Sequence, residues 1–172
     1  RIQAQTQPRL ARTLRTEGQL ADAIAAFEAE RRRAEAGRPA ASRPSSSIAP
    51  ADRGRLEWPV TGPLLYDFGR AVQANNTAIV WNGVGIRAAE GSAVKSVAAG
   101  RVVSVRQMGT YGLTVILEHG AGDYSIYGSL ATATVRQGQS IAQGEAIGTV
   151  GISDPEIRIG QYPHQFSGGM RQ

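Results

Sequence analysis

Two histidines, no cysteine and fourteen acidic residues leave this 172-residue chain few routes to covalent or metal chemistry. A tetrahedral metal site needs several imidazole, thiolate or carboxylate ligands converging on one point. His119 has no partner ligands at useful spacing and reads as a satisfied structural histidine. Asp67, Glu90, Glu118, Asp123 and Glu145 form no acid/base pair at local spacing, and Glu90-Gly91 and Gly122-Asp123 read as turn chemistry. No Gly-x-x-x-x-Gly-Lys-Ser/Thr loop is present, so ATP is not expected as a ligand. The remaining chemistry is that of contact: Trp81, Tyr111 and Tyr127, with Asn82 and Ser129 beside them. Large amphipathic aromatics anchor protein interfaces, at roughly 2 kcal/mol or more each when central. The other reading packs Trp81 and Tyr127 at the core edge and lets Tyr111 close a turn.

The elements that must position these residues fall into four segments. Residues 9–36 carry apolar side chains at helical spacing: Leu10 and Leu14, then Leu20, Ile24 and Phe27. This predicts an amphipathic helix within 1–36, either packed on its own domain or ending a longer coiled coil. Gly18 weakens its middle by roughly 1 kcal/mol against Ala. Residues 37–57 are rich in Gly, Pro, Ser and Ala and read as an extended linker. From Trp58 short strands alternate with glycine turns, which predicts a mainly β domain over 58–150. Asn82-Gly83 is a two-residue hairpin signal between 77–81 and 84–86. Leu113 to Glu118 alternates with period two and meets Tyr124 to Tyr127 across a glycine turn.

The net charge of +5 is concentrated at the N-terminal end. Residues 1–57 hold eleven Arg against seven acidic residues, whereas 58–150 hold six basic and five acidic. A nucleic-acid surface would need a basic stripe interleaved with aromatics on the folded part, and none is present. No apolar run reaches the roughly 18 residues of a membrane span. Starting at Arg1 and stopping at Gln172, the chain reads as a fragment.

Residues 55–150 resemble the LytM (lysostaphin-type) peptidoglycan endopeptidases, and among them the EnvC-like murein hydrolase activators. The phrases that carry the resemblance include Arg55-Leu56-Glu57-Trp58-Pro59-Val60, Ala88-Ala89-Glu90-Gly91, Gly100-Arg101-Val102, Tyr111-Gly112-Leu113, Glu118-His119-Gly120-x-Gly122-Asp123 and Ser125-x-Tyr127-Gly128. The enzymes carry His-x-Gly-x-Asp where this chain has Trp81-Asn82-Gly83-Val84-Gly85, and Tyr-x-His where it has Tyr127-Gly128-Ser129. Trp81, Gly85 and Ser129 therefore stand in place of zinc ligands. The resemblance implies an antiparallel LytM/lysostaphin-like β domain without catalysis, metal or other cofactor. It also implies a periplasmic location and a groove lined by Trp81, Asn82, Tyr111, Tyr127, Ser129 and Arg158. Such a groove would bind and activate zinc-dependent peptidoglycan amidases during cell-wall splitting at division, with no nucleic acid or ATP involved. The upstream coil would dock a divisome membrane complex, and the segment before the domain could restrain the groove or merely tether it. In the family the position after Trp81 is commonly Lys; here it is Asn82. A non-catalytic peptidoglycan-binding module, or an inert truncated product, are the alternatives.

After Val150 the resemblance is expected to stop, leaving the domain without its final strand. Residues 161–172 instead resemble the signature segment of ABC-transporter ATPases of the oligopeptide-importer type, which suggests a junction of two coding sequences near Val150-Gly151. The alternative is a loop deletion in which Glu156-Ile157-Arg158 replaces the family's closing strand and Arg158 supplies the groove arginine. The tail, 151–172, is expected to be partly disordered.

Overall fold

Helix α1 runs from Gln3 to Glu35 in the computed structural model, which describes the backbone of residues 3–72 and 78–151 and the side chains of 15–70 and 82–151. Arg32 and Arg33 in its last turn favour the negative end of the helix dipole. Gly37, at φ +87°, takes the left-handed conformation that commonly closes a helix. Leu20, Ile24 and Phe27 do face the domain, with Ala23 between them. The side chains of Leu10 and Leu14 lie outside the described residues.

The strands are β1 (Leu64–Tyr66), β2 (Gly69–Val72), β3 (Ala78–Trp81), β4 (Gly85–Ile86), β5 (Ala93–Lys95), β6 (Gly100–Gln107), β7 (Leu113–Gly120), β8 (Asp123–Ala133), β9 (Ser140–Ile141) and β10 (Ala146–Val150). Six of them form one antiparallel sheet in the order β5-β10-β8-β7-β6-β9. The mainly β expectation holds, and β7 and β8 form the hairpin read from the sequence. Gly120, Ala121 and Gly122 at its turn all have positive φ, which glycine tolerates without the Cβ clash of other residues.

Asn82-Gly83 does not make the expected hairpin. β3 pairs with β2, and β4 pairs with β1, so the dipeptide is a corner where the chain passes from one two-stranded ladder to the other. Neither residue takes the positive φ that such a hairpin turn uses; the two form a bend, and the strands on either side find partners elsewhere.

The sheet is buried on both faces. Val115, Leu117 and Tyr127 point into the main core with Val94, Val102, Leu130 and Ile147. Ile116 and Ile126 point the other way, where Met108, Leu20 and Ala23 cover them. That second layer explains why β7 is buried continuously from Thr114 to Leu117, as strands covered on both sides are. Full burial of a side chain such as Leu20, which is 2 % exposed, contributes about 2 kcal/mol. Helix α1 is thus an integral layer of the structure.

The segment read as a loose linker is also fixed in part. The Ser47 amide donates to His119 O at 2.7 Å, and the Ser47 hydroxyl donates to Ala99 O. Ile48 packs against the main core. A Cβ at Gly120 would overlap Ser45 O, so the strap lies directly on bare backbone. Residues 45–48 are therefore a strap across the ends of β6 and β7. Composition missed it because its anchors are mostly main-chain groups. Between α1 and the strap, the bonds of residues 36–44 among the described residues are local, such as Ser42 N–H to Pro39 O at 2.9 Å.

Candidate partner-binding site

Asn82, Tyr111 and the turn before Tyr111 come together at one rim of the domain, and α1 sits on that rim. Glu17 is the centre of the contact. Its carboxylate accepts from Asn82 Nδ2 at 2.9 Å and from the Tyr111 hydroxyl at 2.7 Å. One residue earlier, Thr16 Oγ1 accepts from the Thr110 amide at 3.1 Å. Thr16 is 2 % exposed and Thr110 is half-buried, so this polar contact is largely shielded from water. The two bonds to the Glu17 carboxylate are charge-assisted and stronger than neutral ones.

The rim is shaped for close approach. Gly109, at φ +45°, begins the short turn Gly109–Tyr111, and a Cβ there would overlap Thr16 Oγ1. Gly122, at φ +90°, lies beneath Glu28 and Arg31, 3.1 Å and 3.4 Å from the place its Cβ would occupy. With Gly120 beneath the strap, three glycines of positive φ mark the path of the arm and strap over the domain. Near the far end of α1, Arg31 holds Glu28 at 2.9 Å and Glu35 at 2.8 Å. Arg31 keeps the Glu28 carboxyl below its ordinary range. Phe27 stacks on Tyr124 with ring centroids 6.5 Å apart.

Of the residues expected in the groove, Asn82 and Tyr111 meet on Glu17, and Tyr111 packs over Gly128, where a Cβ would lie 3.2 Å from Tyr111 O. Ser129 follows immediately, half-buried and at φ +60°, and its carbonyl accepts from the Gly151 amide at 3.0 Å. Tyr127 does not belong to the rim. It is 1 % exposed in the main core, its hydroxyl accepting from the Val97 amide at 3.0 Å and lying 2.9 Å from Ser125 Oγ. Strand alternation turns it inward, so it offers a partner no surface. The Trp81 side chain and all of Arg158 lie outside the described residues.

The sequence did not single out Thr16, Glu17 or Thr110. Thr16 and Glu17 read as the polar side of an amphipathic helix, and nothing local says that this side faces a protein surface.

His119 is buried and fully bonded. Nδ1 lies 2.7 Å from Ala99 O and Nε2 lies 2.7 Å from Ser125 Oγ. Since a carbonyl only accepts, Nδ1 carries the proton and Nε2 accepts from the Ser125 hydroxyl. Burial lowers its pKa, against smaller opposing effects of the Ala99 bond, Asp123 and Glu118.

A metal does not fit this arrangement. Among the described residues, no three His, Cys, Asp or Glu side chains are placed to hold an ion. At Gly85, where a carboxylate ligand would have to project, a Cβ would overlap the Tyr66 ring. The aromatic fills the space that the ligand would use.

The model of peptidase family M23 matches residues 79–164, and so continues past Val150, where the sequence resemblance was expected to end. The chain is 40 % identical over 112 residues to the murein hydrolase activator EnvC of Escherichia coli, covering 65 % of this chain and 26 % of that protein. It is 30 % identical over 125 residues to the cell division protein DipM of Caulobacter vibrioides, covering 70 % of this chain and 20 % of that one. The chain therefore spans about a quarter or less of the length of these relatives. A solved Pseudomonas aeruginosa structure of the peptidase M23 kind superposes with a TM-score of 0.57 at 24 % identity, covering 90 % of this chain and 52 % of that one. That likeness bears on the fold.

Proposed function

The chain belongs to peptidase family M23, and from that premise we propose that it is a non-catalytic regulatory member that binds and activates a zinc-dependent peptidoglycan amidase. The observation that carries the reading is a donor-lined rim at Asn82, Thr110 and Tyr111 beside a ligand position filled by the Tyr66 ring. Zinc hydrolysis needs converging ligands and an open coordination position, and Gly85 and Tyr66 offer neither. A relative named as a murein hydrolase activator supports the regulatory role. The amidase as partner follows from the family resemblance, as do the periplasmic location and the divisome complex at the upstream coil.

In this reading α1 is the restraining arm. Glu17 and Thr16 occupy the donors that a partner would use, so the partner gains access when the arm lifts. Trp81 and Arg158 are proposed as further contacts of the same groove.

The test is an amidase assay on isolated cell wall, with purified amidase alone, with this chain, and with its Glu17→Ala form. Stimulation is expected from the chain and more strongly from the Glu17→Ala form. Wall hydrolysis by the chain alone with stoichiometric zinc would overturn the reading. So would the absence of stimulation by either form.

A further inference from the structure

A second concave site lies away from the rim, between the far half of α1, the connector and the sheet. It is a cleft of about 510 Å³, within the range of small-ligand sites, which favour such junctions between bodies. Its floor includes Arg101 of β6 and Glu118 of β7, cross-strand partners in the ladder. Its opposite wall includes Glu30 of α1 and Arg38 of the connector. None of these four side chains makes an ion pair or hydrogen bond among the described residues, although two guanidinium and two carboxylate groups line one space. The neighbouring Arg31 differs, being held by Glu28 and Glu35 as a fixed part of the wall.

We propose that this cleft binds a short zwitterionic peptide, with its carboxylate on Arg101 and Arg38 and its ammonium on Glu30 and Glu118. Each wall carries one charge of each sign, which matches a ligand carrying both, whereas a purely anionic or cationic one meets a like charge. Phe27 and Val103 add apolar surface to the lining. Because one wall is α1 and the connector and the floor is the sheet, the site is complete only while the arm is docked. A ligand bound there favours the docked arm by linkage, and a loosened arm weakens the ligand by the same factor. The inference goes beyond the amidase proposal and does not need it.

Calorimetry with the whole chain tests it, using tetra-alanine with free termini, its N-acetyl form and its C-terminal amide as probes. Saturable binding of the free peptide is expected, weakened about ten-fold by blocking either end. Arg101→Gln and Glu30→Gln, both at exposed positions, are expected to weaken it similarly at unchanged melting temperature. Glu17→Ala, which loosens the arm at a distance, is expected to lower affinity as well, and bound peptide is expected to slow amide exchange in α1. Equal binding of the blocked peptides overturns the proposal. Absence of saturable binding up to about 10 mM, or affinity unchanged in both glutamine variants, also overturns it.

Discussion

Tyr111 donates its hydroxyl proton to Glu17 across 94 residues of chain, a bond of 2.7 Å that ties the arm to the rim. The same carboxylate holds Asn82, so one side chain of α1 controls two residues of the candidate site. Removing that carboxylate leaves the apolar seat of Leu20 and Ala23 in place. Latch and seat are thus chemically separable.

Glu17→Ala is expected to weaken arm docking by about 1–2 kcal/mol, since two charge-assisted bonds at a half-buried site are lost and water replaces part of them. The open population should rise by about 5–30-fold. Hydrogen exchange of α1 amides should quicken accordingly while β7 and β8 stay protected. Exchange in α1 indistinguishable from the parent would show that Glu17 is not the latch.

Gly109→Ala and Gly144→Ala form a matched pair. Both glycines have positive φ, but only Gly109 lies under α1, where the new Cβ meets Thr16; Gly144 has open space. Gly144→Ala should cost about 1–2 kcal/mol from backbone strain alone. Gly109→Ala should cost more and should loosen α1 selectively, with partial recovery in the double variant carrying Thr16→Ala. Equal melting temperatures and equal α1 exchange for the two single variants would contradict this.

Tyr127→Phe and Tyr111→Phe separate core from rim. At Tyr127 the lost oxygen leaves the buried Val97 amide without its acceptor, a penalty of about 1–3 kcal/mol read in urea denaturation. At Tyr111 the loss removes one latch bond, so global stability should change little while the arm opens more often. A larger drop in global stability for Tyr111→Phe than for Tyr127→Phe would reverse the assignment.

Stability should fall below neutral pH because of His119. Its folded pKa is depressed by burial, so the unfolded state binds the proton first as pH drops through about 6.5. The stabilisation is complete above that value and is lost progressively as pH falls toward the lower folded pKa. Urea midpoints measured between about pH 8 and 5.5 should decline, and His119→Gln should flatten the decline. Glu28, held below the ordinary carboxylate range by Arg31, titrates beneath this window. A decline equally steep in His119→Gln would assign the effect elsewhere.

Much of the β domain was legible because each strand carries its own signal. The β7–β8 hairpin follows from alternation across a glycine turn, and the inward side of α1 from Leu20, Ile24 and Phe27. What was not legible depends on long-range pairing. Asn82-Gly83 has hairpin chemistry, but its flanking strands pair with β1 and β2. Ser47 anchors the strap largely through its amide, a group every residue except proline possesses. Glu17 resembles any surface glutamate until the fold places Asn82 and Tyr111 opposite it. For Tyr127, aromatic chemistry suggested contact with a partner, and only the strand's register decided that it faces inward.

The strap also has a mechanical consequence. Tension applied to the N-terminal end of α1 meets the helix first, then the connector at 36–44, and only then the bonds of Ser47 to His119 and Ala99. The helix can peel from its seat one turn at a time, whereas the strap is held at Ser47 by bonds to the ends of β6 and β7. Ser47 is thus the first point at which a pull that has lifted the arm reaches the sheet, as at the strain relief on a cable.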